Sequence, residues 1–261
     1  KKIIIIGAGF SGLYLANLLQ EKYHVRILEA RERVGGRVHS EASHDLGPSW
    51  IWPHQKNVLK LISSLGLELF PQYSDGYALY DANEKIEAFK PPPTAPSARV
   101  KGSLTQVVKK LNSKLLDTQI NFLDEVLSVR EEHDGVHVET KKSSYSCDYV
   151  ISTLPPRLAA RLELSPKLPK ELELKMNSTQ TWMGNSAKCV VEFKTAFWRE
   201  KGVSGFVFSH VGPLGEMHDA STDEKPALFG FVSSNADMEN FEESLKEQLV
   251  RLFGDVLSEI V

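Results

Sequence analysis

The chain has 261 residues, 41% hydrophobic and 25% charged, which is the composition of a globular protein long enough to bury a sizeable core. Its net charge of −3 supplies no basic field and argues against nucleic acid as a partner. No stretch approaches the roughly 18 apolar residues of a membrane span, and the opening isoleucine run is too short for a signal peptide, so a cytoplasmic protein without a membrane partner is expected.

Four isoleucines, Ile3 to Ile6, lead into Gly7-Ala8-Gly9-Phe10-Ser11-Gly12, and Leu13, Ala16, Leu18 and Leu19 follow at helical spacing. A second apolar run, Val25 to Leu28, ends in Glu29. The pattern predicts strand, glycine turn, helix and strand, the context in which a G-x-G-x-x-G fingerprint binds a dinucleotide. Gly7 permits the sharp turn, Gly9 the approach of backbone to a pyrophosphate, and Gly12 close packing of helix on strand. Phosphates are expected on the free N–H groups at the helix N-terminus, and a ribose diol on Glu29. The segment Ala30-Arg31-Glu32-Arg33-Val34-Gly35-Gly36-Arg37-Val38 then suggests a flavin nucleotide. Such a ligand, extended and buried, needs a second backbone segment near its diphosphate, which Gly35 and Gly36 permit, and Arg37 adds a fixed cation. The alternative is a flexible surface loop with solvated charges.

Ser43 to Trp52 combines a kinked backbone with two large aromatics and is expected to run inward. A helix follows with Val58, Leu59, Ile62 and Leu65 on one face and Gly66 as its stop. Strands are expected near Leu67 to Phe70 and Tyr77 to Tyr80, then a domain crossing at Pro91-Pro92-Pro93-Thr94-Ala95-Pro96. Ser103 opens a helix that turns Leu104, Val107, Val108, Leu111 and Leu115 inward. Ile120 to Phe122, Glu125 to Arg130 and Val136 to Thr140 read as strands, the last two a hairpin through Asp134-Gly135. Tyr149 to Leu154 is the next. Beyond Pro156 the pattern turns antiparallel: Ala187 to Phe193, Phe206 to Val211 and Leu228 to Val232, with Gly212-Pro213-Leu214-Gly215 turning between the last two. Asn240 and Glu243 suggest a capping box on a helix burying Leu245, Leu249, Leu252 and Phe253, stopped by Gly254.

Few residues outside the glycine motifs suggest chemistry. Cys147 and Cys189 sit in apolar runs without a CxxC partner and read as small buried thiols in a reducing compartment. His210 and His218 lack metal-ligand spacing, so no metal is expected. Lys188 lies in a small, apolar strand, and on the residues alone it reads as an exposed edge charge. Trp50, Trp52 and Trp182 suit either a channel wall facing an amine or plain core packing, while Trp198 reads as an anchor of the second sheet.

The four segments Gly7 to Gly12, Leu28 to Arg31, Val34 to Arg37 and Asp45-Leu46-Gly47-Pro48-Ser49-Trp50 together resemble the N-terminal signature of flavin-containing amine oxidases, the monoamine oxidase-like enzymes, and above all a compact bacterial group. The resemblance continues through Ile151 to Pro156 and Trp182 to Lys188 and covers essentially the whole chain. It implies an α/β fold: a doubly wound, Rossmann-like FAD-binding domain (1–76 and 101–156) interleaved with an antiparallel-sheet α+β substrate domain (77–100 and 157–261). FAD, held non-covalently, is the implied cofactor, contacted by Gly7, Gly9, Phe10, Ser11, Gly12, Glu29, Ala30, Arg31, Gly35, Gly36, Arg37, Gly47, Pro48, Ser49 and Trp50, with Val126 near the adenine. Lys188 becomes the implied catalytic residue, holding a water against the flavin, and Trp52 and Trp182 become substrate-channel residues. The implied reaction oxidises a small amine to an imine and reduces oxygen to hydrogen peroxide.

Three departures stand out. Gly47-Pro48 replaces a Gly-Gly of many members and removes one backbone N–H. The proline linker replaces a long helical excursion. Nothing matches the family's last glycine-rich flavin segment or the aromatics framing the amine, so a C-terminally incomplete member is expected. Desaturase- and porphyrinogen-type flavoenzymes share the N-terminal signature. So does a non-catalytic scaffold, the escort of prenylated GTPases, which lacks the Gly35-Gly36-Arg37 kept here.

Overall fold

The computed structural model describes residues 1–261 apart from 83, 84, 94, 117, 182 and 224. The chain forms two compact units of mixed α/β content, one of residues 1–39 and 105–184, the other of 40–104 and 185–261.

In the first unit, four parallel strands lie in the order Tyr149–Ser152, Lys2–Ile6, His24–Leu28, Gln119–Asn121. Ile3 to Ile6 are all buried, which is why that strand reads as an unbroken apolar run and not as an alternation. The helix Phe10–Leu19 follows and buries Gly12, Leu13 and Ala16, whereas Leu18 is exposed. A second sheet consists of Val126–Glu132, Gly135–Thr140 and Ser144–Cys147 in antiparallel order, with Glu163–Ser165 parallel to the first of them. Val126, Val138 and Cys147 pack with Ile4, Ile6 and Leu28 into one core.

The second unit is built on a six-stranded sheet, in the order Lys188–Glu192, Ala227–Val232, Leu214–Asp219, Val203–Ser209, Tyr77–Ala82, Lys85–Phe89. One face packs against the helix Phe241–Phe253 through Leu245, Leu249, Leu252 and Phe253, together with Val191, Val207, Met217 and Leu228. Trp198 is fully buried here and donates from Nε1 to Asp219 at 2.9 Å, so it does anchor the sheet. Asp219 also takes two bonds from the Arg199 guanidinium, at 2.8 and 2.9 Å, so the buried carboxylate is paired.

Three local expectations change. The segment after Gly212-Pro213 is a strand, Leu214–Asp219, inserted between the two that were expected to be neighbours. Asn240 does not cap its helix, because its amide donates to Asp237, whose other oxygen accepts from the Glu239 N–H. The chain passes between units after 39, 104 and 184, while the described part of the proline cluster lies within the second unit. Leu69–Pro71 pairs with Ala98–Val100, which ties residues on both sides of that cluster into one unit.

Candidate functional site

Each unit carries part of the chemistry expected from the sequence. In the first, the turn after Lys2–Ile6 is closed by Gly7 N–H donating to Leu28 O at 2.9 Å. A Cβ on Gly12 would lie 2.0 Å from the Gly7 carbonyl oxygen, so only glycine lets the helix start so close to the strand. The helix has neither a side-chain cap nor an acidic residue in its first turn, and its positive end is left for an anion. Phe10 is partly buried and Ser11 exposed at that end.

The Gly-Gly segment comes alongside. Gly35 N–H donates to Ala8 O at 2.8 Å, and Gly9 and Gly35 form a parallel bridge. A Cβ on Gly36 (φ +58°) would sit 3.2 Å from Gly9 Cα. One on Gly9 would meet nothing nearer than Gly36 Cα at 4.0 Å, so the space above Gly9 is open. Arg31 and Arg33 both hold the Gly36 carbonyl, at 3.1 and 3.0 Å. Arg33 was not singled out in the sequence; its position three residues before Gly36 is the only signal. Arg37, expected as the fixed cation, is instead exposed and makes no hydrogen bond or ion pair among the described residues.

Glu29 is buried at the end of the second strand. Its two oxygens accept from Ala8 N–H at 2.7 Å and Arg31 N–H at 2.9 Å. Each retains a lone pair for a further donor, as a diol would require. Ala30 is exposed beside it, and Val126 is buried in the core at the start of its strand. A glycine-lined approach, an uncapped helix start and an oriented carboxylate fit a dinucleotide's diphosphate and ribose.

The second unit holds Lys188 on the edge strand of its sheet, yet the ammonium turns inward. Nζ donates to the carbonyls of Asp45 (3.2 Å) and Gly47 (2.8 Å) and to Ser49 Oγ (2.9 Å). It also stands 4.1 Å from the centre of the Phe229 ring. Burial lowers its pKa to about 8, Asp45 opposing the shift and Arg99 adding to it. Gly47 and Ser49, expected to touch a cofactor, are thus engaged by Lys188 in the structure.

Asp45 is buried, accepts from Leu104 N–H at 2.9 Å, and is raised by burial to about 6 against that bond and the pull of Arg99 and Lys188. Arg99 is itself buried and donates to the carbonyls of Ser221 (3.0 Å) and Ala220 (2.9 Å). Neither Asp45 nor Arg99 was expected to matter to this site, since nothing local marks them. Trp50 donates to Gln72 at 2.9 Å and packs its ring on Phe229 and on Trp52. Trp182 lies outside the described residues. Among the described residues no group of His, Cys, Asp and Glu could hold a metal ion, and no helix is long and apolar enough to cross a membrane.

Comparison with known proteins bears on the whole chain. The family profile of flavin containing amine oxidoreductases matches residues 10–104 and 93–261. The flavin-containing amine oxidase A of Sus scrofa is 25% identical over a 368-residue alignment that covers 98% of this chain and 69% of that protein. The counterpart of Bos taurus is covered over 64% of its length, so the chain spans about two thirds of these relatives. Among solved structures, wild-type putrescine oxidase bound to putrescine superposes with a TM-score of 0.85 at 20% identity, covering 100% of this chain and 83% of that one.

Proposed function

Because the chain belongs to the family of flavin-containing amine oxidoreductases, we propose that it binds FAD non-covalently and oxidises a small amine to an imine, with oxygen reduced to hydrogen peroxide. The flavin would supply the redox chemistry, taking a hydride equivalent from the C–H beside the nitrogen and returning two electrons to oxygen. The observation that carries the reading is Lys188, an ammonium held by three oxygens against an aromatic ring.

In this reading the first unit is a doubly wound nucleotide domain. Gly7, Gly9, Gly12, Gly35 and Gly36 admit the diphosphate, Phe10 and Ser11 present backbone N–H groups to it, and Arg37 is available to pair with it. Glu29, fixed by Ala8 and Arg31, holds the ribose, with Ala30 and Val126 beside the nucleotide. Pro48 and Trp50 flank the segment whose Gly47 and Ser49 position Lys188, and Trp52 faces the substrate.

Lys188 titrates close to neutral pH, so it can exchange a proton with the bound amine or with a water. When Nζ gives up a proton, the Ser49 hydroxyl can turn and donate to it, so the neutral amine keeps three partners. The ring of Phe229 stabilises the cationic form on the other side.

The test is a flavin spectrum of the purified, desalted protein, followed by peroxide assay on primary amines, diamines, polyamines, a cyclic diene and a porphyrinogen. Bound flavin and amine-dependent peroxide are expected, and Lys188→Met should lower kcat by about 10²-fold while keeping the flavin. Turnover of the diene or porphyrinogen alone would replace the amine reading with the related desaturase or porphyrinogen chemistry. Protein that never retains flavin would point to a non-catalytic scaffold.

A further inference from the structure

The sheet face that carries Lys188 has a charge of opposite sign at the far end of the same rows. Lys188 pairs across the ladder with Phe231, and Phe231 pairs with Glu216 on the next strand. Residues paired in this way project to one face, so cation, ring and carboxylate stand in a single row. The neighbouring row runs Val190, Phe229, His218. Two inter-strand spacings, about 9.5 Å, separate the ends of each row.

Ring contacts make the wall continuous. The Lys188 ammonium is 4.1 Å from the centre of Phe229, and Phe229 is 5.4 Å from the His218 ring. Phe206 stacks on His218 at 4.8 Å with the planes 8° apart, and Trp50 meets it edge-on at 4.8 Å. The clamped imidazole donates from Nε2 to Glu216 Oε1 at 2.6 Å. That bond holds the Glu216 carboxyl below the usual carboxylate range, against the effect of burial. The side chain of Glu216 remains 39% exposed, and among the described residues its other oxygen has no protein partner.

A carboxylate oriented by a fixed histidine, with one free oxygen and aromatic faces beside it, is built to receive an ammonium. We infer that Glu216, oriented by His218, is a specificity residue that anchors a second cationic group of the substrate, so that the site selects linear diamines over monoamines. The inference rests on the amine-oxidation reading for the first amine but concerns the binding of the second. Phe231 and Phe229 line the span between the two ends and suit the methylene chain that joins two ammonium groups.

The test compares 1,4-diaminobutane with butylamine, and an unreactive pair, butane-1,4-bis(trimethylammonium) with butyltrimethylammonium, on the flavin-loaded protein. Glu216→Gln should lower kcat/KM for the diamine by about 10- to 100-fold, mainly through KM, and leave butylamine within about twofold. The same variant should erase the parent's preference for the bis-cation in calorimetric titration, and Glu216→Asp should retain most of it. An equal loss on both amines, or a parent that does not prefer the bis-cation, overturns the inference. If the parent oxidises neither amine yet shows a bis-cation preference that Glu216→Gln removes, the anchor stands and the amine-oxidation reading falls.

Discussion

Asp45 and Lys188 are displaced in opposite directions by the same cause. Burial raises the carboxyl from 3.8 to about 6 and lowers the ammonium from 10.5 to about 8. Between about 4 and 6 the folded chain holds a proton on Asp45 that the unfolded chain has released, so stability falls as pH rises through that window. Between about 8 and 10.5 the unfolded chain keeps a proton on Lys188 that the folded chain has lost, so stability is regained as pH rises there. Asp45→Asn keeps an oxygen for the Leu104 N–H and removes the titration. Its stability relative to the parent should therefore increase by about 2–3 kcal/mol between pH 4 and pH 6.5, read from urea melts at each pH. A difference that does not change with pH would mean that Asp45 ionises in the fold as it does in water.

Among the elements, the helix Phe241–Phe253 shows how a single polar side chain fixes a turn. Gln248 is buried on the helix's inner face; its Nε2 donates to Val211 O (2.7 Å) and Leu214 O (2.8 Å), and its Oε1 accepts from Leu214 N–H (3.0 Å). Gln248→Ala strands three backbone groups at the start of the strand that carries Glu216 and His218. We expect a loss of about 3 kcal/mol or more in equilibrium unfolding, against under 1 kcal/mol for an exposed position such as Glu247. This turn also marks where the sequence stops being readable. Lys2–Ile6 and His24–Leu28 are legible because burial on both faces leaves unbroken apolar runs. Leu214–Asp219 is not, because Gly212, Pro213 and Gly215 speak for a turn and the ladder shifts register between Leu214 and Glu216. Asn240 misleads for a different reason: Asp237, three residues earlier, competes for its side chain. Lys188 is legible as a strand residue, but its three acceptors lie 139 to 143 positions away, and no local pattern encodes them.

For the whole molecule, the two units have separate hydrophobic cores, so a ligand that binds only the native chain should report on its folding by mass action. If the cradle of Gly9, Gly36 and Glu29 holds the nucleotide, FAD at about a hundredfold excess over its Kd contributes about 2.7 kcal/mol. For a chain of this length that corresponds to a rise of about 5–10 °C in Tm. Gly36→Val separates this effect from general stability. Valine at φ +58° is strained, and its Cβ would begin 3.2 Å from Gly9 Cα, with two further methyl groups in the approach left open above Gly9. The variant should melt somewhat lower on its own and show no rise with FAD in a thermal scan. An FAD-dependent rise as large in Gly36→Val as in the parent would place the diphosphate elsewhere, because no dinucleotide could then be using the gap between the two glycines.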